Sequence, residues 1–383
     1  MSNYDVLIVG AGPAGSWAGF RLARAGVRVA VLDGSHPREK PCGGGITGRA
    51  LELVRDALGP SAIRSVRIDG ASFTHNSRLA QVVLNGDGRG YPPLVVASRR
   101  DFDQALLDAA VAAGATHFPV RVTALGRTDS GWRVETRSGG FEAPWVIGAD
   151  GVNSLVRRRV GHPFSRSDLS IATGYFAHGR SSRDIVVAFE DHPPGYLWSF
   201  PRPDHLAIGI CAQADETTST ALRQHVDHWI AAHASGTTLE RYSWPIPSLG
   251  ERALVNERPA GPGWMLVGDA AGLVDPITRE GIYFALRSAN AACDAFVGGA
   301  NIPSVYLDRV RQEIHGELRR AARLKARFFQ PRFVNLLVSA LGRSMPVRAV
   351  MADLVAGRQT YEGLRRRLLK TLEWRLMLEL FGW

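Results

Sequence analysis

Residues 4–33 read YDVLIVGAGPAGSWAGFRLARAGVRVAVLD. Tyr4 to Gly10 is rich in Val, Ile and Leu with little alternation, the pattern of a strand buried on both faces. Gly10-Ala11-Gly12-Pro13-Ala14-Gly15 follows at once, Ser16 to Ala25 reads as a helix ending at Gly26, and Val27 to Leu32 is a second buried strand with Asp33 at its end. Gly10 permits the tight turn, Gly12 lets a backbone approach a pyrophosphate, and Gly15 lets helix and strand pack closely. The helix N-terminus offers free N–H groups and a positive dipole end to phosphates. Asp33 is placed to accept hydrogen bonds from ribose hydroxyls. Strand, glycine turn, helix, strand and acid together predict a Rossmann-like FAD/NAD(P)-binding domain.

A second, distant segment selects FAD. Residues 264–282, WMLVGDAAGLVDPITREGI, run from a short apolar strand, Trp264 to Val267, into Gly268-Asp269 and then a helix beginning near Gly281 and Ile282. An aspartate here can bind a ribityl hydroxyl, and the helix after it directs its N-terminus at the flavin or its phosphates. A nicotinamide cofactor has no use for such a segment. The plainer alternative is another strand–turn–helix with Asp269 as a cap.

Two further stretches narrow the reading: Pro41-Cys42-Gly43-Gly44-Gly45 and Tyr196-Leu197-Trp198-Ser199-Phe200-Pro201. With the glycine turn and the Gly268-Asp269 to Glu280-Gly281-Ile282 segment, they resemble the geranylgeranyl reductase family, within the flavoprotein group that includes para-hydroxybenzoate hydroxylase. The resemblance covers residues 5 to about 290. It implies that the Cys-Gly-Gly loop, Cys42 with Gly43 and Gly44, lies beside the flavin. It also implies that Arg99 reaches toward the cofactor and that Val122 joins the cofactor-contacting positions. From residues alone, Arg99 is equally an arginine at the start of the amphipathic helix carrying Phe102, Leu106, Leu107 and Ala110. Cys42 is equally a small hydrophobe. Ala149-Asp150-Gly151 looks like the group's Asp-Gly motif. Arg279 stands where the family usually has glycine, so ring access or substrate size is expected to differ.

From Gly161 to about Pro262 the composition changes, and Ile185 to Phe189 and Leu206 to Cys211 alternate like antiparallel strands. Tyr196, Trp198 and Phe200 share one face of a strand. Such a stripe is often only core, but within the resemblance it lines an apolar substrate channel against the flavin. The domain division expected is a discontinuous FAD-binding domain (1–70, 95–160 and 255–300), an inserted antiparallel β-sheet substrate domain or lid (71–94 and 161–254) and a helical C-terminal region (301–383). The fold class is therefore α/β, α+β overall.

Composition excludes several function classes. With 45% hydrophobic and 21% charged residues the 383-residue chain is an ordinary globular protein. No apolar run reaches the ~18–20 residues a bilayer crossing needs. Cys42, Cys211 and Cys293 have neither disulfide nor metal spacing, so no metal site and a reducing, cytoplasmic setting are expected. The net charge of +10 is concentrated at the end: residues 301–383 hold 16 Lys and Arg against 7 Asp and Glu. The stretch with Leu364, Leu368, Leu369, Leu372, Leu376 and Leu380 at helical spacing mixes leucines with arginines. It is a solvated surface, or a basic face for peripheral membrane contact or a diphosphate-bearing substrate. No nucleic-acid module accompanies it.

The chemistry expected is reduction of C=C bonds in an apolar, isoprenoid-like substrate by hydride from reduced flavin N5. No catalytic acid is identified. No separate nicotinamide motif is read after the first, so NAD(P)H visits transiently or another external reductant, such as a reductant protein, delivers electrons. The alternative is a flavin monooxygenase acting through a C4a-hydroperoxide on an aromatic or polyketide-like substrate. A flavin halogenase is less expected: its chemistry uses a lysine near the substrate, and Lys40 is the only lysine before Lys325.

Overall fold

The computed structural model describes residues 4–59, 62–84, 94–371 and 373–381. Leu372 of the C-terminal leucine series lies outside them. Val6–Val9, buried at all four positions, sits at the centre of a six-stranded sheet and pairs in parallel with Val29–Leu32 on one side and Trp145–Gly148 on the other. Thr116–Phe118 extends the sheet beyond Val29–Leu32, and Trp264–Leu266 extends it beyond Trp145–Gly148. Trp145–Gly148 alone separates Val6–Val9 from Trp264–Leu266, and all three run parallel, so the two segments expected to share FAD leave the same edge of the sheet. The first helix is Pro13–Arg24, three residues longer at its start than the sequence suggested. Proline's fixed φ and missing N–H suit the first helical position. That helix packs against Arg99–Ala112 and Ile282–Gly298, and Trp17 Nε1 donates to Asn290 Oδ1 across 2.7 Å.

The second sheet has seven strands, in the order Thr238–Pro247, Leu169–His178, His205–Gln213, Pro194–Pro201, Asp184–Asp191, Gly70–His75, Arg78–Val83. It is antiparallel except that Asp184–Asp191 runs parallel to Gly70–His75. The hairpin that includes Gly70–His75 arrives from an earlier part of the chain and joins an existing edge, which alternation within either strand does not reveal. Leu197, Ile208 and Ile210 on one face pack against Leu222, Val226 and Ile230 of the helix Ser219–His233. The opposite face meets the C-terminal helices.

Those helices include Gly316–Phe328, Pro331–Arg343, Met345–Val355, Leu364–Leu369 and Trp374–Phe381. Pro331 and Pro346 each fall in a first turn, so both act as the expected breaks. Phe333, Val334, Leu337, Val338 and Leu341 form a buried stripe at helical spacing. Fully burying such a side chain stabilises by roughly 1.5–3 kcal/mol. Leu364, Leu368, Leu376 and Leu380 are also inward. Among the described residues no helix is long and apolar enough to cross a membrane.

Candidate active site

Two helices begin on one cavity of about 850 Å³ with no side-chain cap on their first N–H groups: Pro13–Arg24 after Gly12, and Ile282–Gly298 after Gly281. Uncapped first-turn N–H groups need an outside acceptor. Gly10, Gly12, Pro13 and Ala14 line the cavity, as do Gly281 and Ile282. Gly10 has φ +105°, and a Cβ there would lie 2.4 Å from the Ala149 carbonyl oxygen. At Gly15 the clash would be with Gly10's own carbonyl oxygen at 1.9 Å, so Gly15 supports the turn from behind and is not on the wall. At Gly12 an added Cβ meets nothing nearer than His36 Nε2 at 3.8 Å, leaving room for a close backbone approach. The residues fit a pyrophosphate here, and hence FAD.

Asp33 is on the wall. Its carboxylate already accepts from Ala11 N, Ser35 N and Oγ, and His36, whose Nδ1 lies 2.7 Å from Oδ2. The other ring nitrogen of His36 is 3.2 Å from Asp103 Oδ2, and Arg99 donates to Asp103 through Nε and Nη2 at 2.9 and 2.7 Å. Burial opposes charge on His36, but its bonds to Asp103 and Asp33 outweigh burial and raise its pKa. Burial also acts against Asp33's charge, and His36 with the Ala11 N–H overcomes it, so the carboxyl titrates well below its ordinary range. Arg99 lines the cavity while its guanidinium is committed to Asp103. Val122 begins the strand Val122–Thr128 on the same wall.

The Cys-Gly-Gly loop crosses the cavity's middle. Gly44 has φ +85°, and a Cβ would lie 2.3 Å from Ala97's carbonyl oxygen. A Cβ on Gly43 would meet Phe200 Cδ2 at 2.8 Å, so loop and aromatic strand touch. Gly44 N donates to Cys42 Sγ at 3.3 Å. Arg202, fully buried, holds this loop: Nη2 donates to the Cys42 carbonyl at 2.7 Å, and Nη1 pairs with Glu39 at 2.5 Å. Glu39 in turn accepts from Ser98 Oγ and Arg99 N.

Asp269 faces the cavity paired with Lys40 at 2.9 Å. Glu280 accepts from Thr47 Oγ1 at 2.8 Å and is ion-paired with Arg49, which also reaches Glu317. Asp150 accepts from Ser154 Oγ and from the backbone N–H groups of Leu155 and Val156, as a cap for the helix Leu155–Val160. Asp275 is buried, accepts from Ile277 N and Thr278 N, and receives the Tyr361 hydroxyl at 2.9 Å. Burial raises its pKa.

Tyr196, Trp198 and Phe200 all line the cavity on one face of Pro194–Pro201, with Tyr196 and Trp198 rings 6.1 Å apart. The Tyr196 hydroxyl donates to the Thr278 carbonyl at 2.7 Å, tying this wall to the loop before Gly281. Beyond it the cavity continues between the sheet and the C-terminal helices, past Phe189, Phe328, Leu337, Met351, Leu368 and Leu380.

One cavity therefore gathers the expected cofactor and aromatic residues, except Gly15, which stands behind the turn. Sequence reading missed His36, Glu39, Lys40, Arg49, Arg202 and Tyr361 as site residues. Lys40 directly precedes the Cys-Gly-Gly loop, which was a usable signal; the others depend on partners far away in the chain. Lys325, passed over when lysines were weighed, is half-buried beside the sheet.

The family model described as FAD binding domain matches residues 3–296. A geranylgeranyl diphosphate reductase of Rhodobacter capsulatus is 32% identical over 76% of this chain and 75% of its own length. A menaquinone reductase of Mycolicibacterium smegmatis is 29% identical over 94% of this chain and 92% of its own. Among solved structures, a geranylgeranyl bacteriochlorophyll reductase-like protein from Thermoplasma acidophilum superposes with a TM-score of 0.80, covering 97% of this chain and 100% of that one. At 23% identity, that likeness shows the shared fold.

Proposed function

The chain is an FAD-dependent oxidoreductase of the geranylgeranyl reductase family, and from that premise we propose that it reduces C=C bonds of an apolar, isoprenoid-like substrate. The observation that carries the reading is the apolar arm of the cavity, which extends from the aromatic strand to the C-terminal helices. An elongated hydrocarbon fits such an arm, and a small polar substrate leaves it unfilled.

Bound FAD supplies the hydride. Gly10, Gly12, Pro13, Ala14 and the two uncapped helix starts would hold its phosphates, while Asp33, Arg99, Val122, Asp269, Cys42, Gly43 and Gly44 would frame the rest. Tyr196, Trp198 and Phe200 press the substrate chain in place and exclude water. The second alkene carbon needs a proton. Of the carboxyls on the cavity, Asp33, Asp269 and Glu280 are matched by His36, Lys40 and Arg49, and Asp150 is held as a helix cap. Asp275 has no cation partner among the described residues, and its Oδ2 is bonded to the Tyr361 hydroxyl, which lines the cavity. We assign proton delivery to this pair: Tyr361 Oη gives its proton to the alkene carbon and takes one from Asp275, whose pKa burial raises and which regains its proton from solvent.

Reducing equivalents enter from outside, from a nicotinamide donor or a reductant protein. The test is anaerobic turnover of holoenzyme with dithionite as reductant and geranylgeranyl diphosphate or menaquinone as substrate, read by mass spectrometry. A product two hydrogens heavier at an alkene supports the proposal. Unchanged polyenes with both substrates overturn it.

A further inference from the structure

Arg279 is one of the few non-glycine residues with positive φ, at +61°, a conformation that a bulky side chain holds only when its surroundings over-determine it. Its guanidinium is turned to the end of the seven-stranded sheet, where Nη1 donates to Ser248 Oγ and to the Pro276 carbonyl. Its Nε is buried and has no partner among the described residues. On the other side of the same hydroxyl stands Lys325, which donates to Ser248 Oγ at 2.8 Å and to Gln213 Oε1. Two cations thus converge on one neutral oxygen.

Among the described residues the two cations donate to Ser248, Gln213 and the Pro276 carbonyl, none of them a carboxylate. Burial, then the charge of Arg279, pull the Lys325 pKa down to about 7, while the more distant Glu216 and Asp215 oppose this. Lys40 and Arg99 on the cavity wall are matched by Asp269 and Asp103, and Arg49 and the buried Arg202 by Glu280 and Glu39. Here a strained backbone and mutual repulsion are both retained with only neutral acceptors between the charges. An oxyanion bridging Arg279 and Lys325 would relieve the repulsion and satisfy Nε. Arg279 lines the cavity next to Thr278 and Glu280, and the Thr278 carbonyl binds Tyr196. Arg279 thus stands on the wall that the apolar arm shares, with Ser248, Gln213 and Lys325 behind it.

We propose that Arg279 and Lys325, with Ser248 and Gln213 between them, form an oxyanion subsite for the phosphate or carboxylate head group of the apolar substrate. For the apolar remainder this rests on the isoprenoid reading above. The subsite also gives a physical role to an arginine where the resembling family has glycine.

Equilibrium titrations of the oxidised holoenzyme, read by flavin absorbance and calorimetry, test it. The probes are geranylgeranyl diphosphate, uncharged geranylgeraniol and inorganic diphosphate. Wild type should bind the prenyl diphosphate at least about tenfold more tightly than the alcohol, the scale of a charge-assisted contact. In Arg279→Gly and Lys325→Met the ratio of the two affinities should fall toward one. Arg279→Gly removes the backbone strain, so its melting temperature should not drop below wild type, which separates loss of binding from unfolding. Equal affinities in wild type, or a ratio that neither substitution alters, overturn the subsite and leave the isoprenoid reading standing. If neither prenyl compound binds, the isoprenoid reading fails instead. Inorganic diphosphate then decides: binding that Arg279→Gly abolishes sustains the subsite, and absent or unaltered binding ends it.

Discussion

His36 spans Asp33 and Asp103, and its charge is what reconciles the two carboxylates. The sign of its pH dependence follows. Its folded pKa lies above the ordinary 6.5, so its contribution to stability is complete below that value and disappears as pH rises through the folded pKa. Asp33 behaves oppositely: its contribution is present above 3.8 and is lost on acidification. Melting of wild type against His36→Asn across pH 5 to 9 should show wild type losing its advantage on the alkaline side. That advantage is about 2 kcal/mol where the ring is charged, and an unchanged difference across the range contradicts the assignment. Tyr361→Phe should lower kcat by about a hundredfold with FAD affinity preserved; activity within threefold of wild type removes Tyr361 as the proton donor. Glycines were legible at this scale because their task is local. His36 and Arg202 were not, since a histidine or arginine announces nothing until the fold supplies its partner.

At the scale of elements, strand Val6–Val9 and its glycine turn were readable from periodicity, and so was the strand Trp264–Leu266 with its following helix. The limits shifted where local chemistry competes: Pro13 starts the first helix earlier than hydrophobic spacing suggests. The parallel pairing of Asp184–Asp191 with Gly70–His75 was invisible, because pairing partners from different parts of the chain leave no mark in either strand's pattern. The Arg202–Glu39 pair is the fastening between the aromatic strand and the Cys-Gly-Gly loop. Arg202→Met leaves Glu39 partly buried without its cation, which costs about 3 kcal/mol, and frees the Cys42 carbonyl. We expect a lower melting temperature and FAD affinity reduced about tenfold or more, measured by equilibrium dialysis. Unaltered FAD affinity would show that the loop keeps its place without the arginine.

Across the whole molecule, the basic C-terminal region closes the apolar arm with Leu376 and Leu380 and turns Trp374 and Leu378 outward. Met345, 69% exposed, lies two residues from Arg343, whose pairing with Glu373 brings it beside Trp374. An apolar and basic outer face over the end of an apolar cavity suits an anionic membrane surface from which a lipid-like substrate enters. We propose that use for it. Co-sedimentation with phosphatidylglycerol-containing vesicles should exceed that with neutral phosphatidylcholine vesicles severalfold and weaken in salt. Trp374→Ala with Leu378→Ser should reduce it; equal, salt-independent recovery with both lipids argues for a merely solvated surface. The charge imbalance was plain in the sequence, but which leucines turn inward needed the packed helices.

The most direct measurement is a stopped-flow experiment in which the photoreduced holoenzyme is mixed, separately, with geranylgeranyl diphosphate without oxygen and with oxygen alone. We predict fast flavin reoxidation by the alkene, a saturated product in equal amount, and slow reaction with oxygen. No reoxidation by the alkene, together with a rapid oxygen reaction through a transient absorbing species, would contradict the reductase function and identify a monooxygenase.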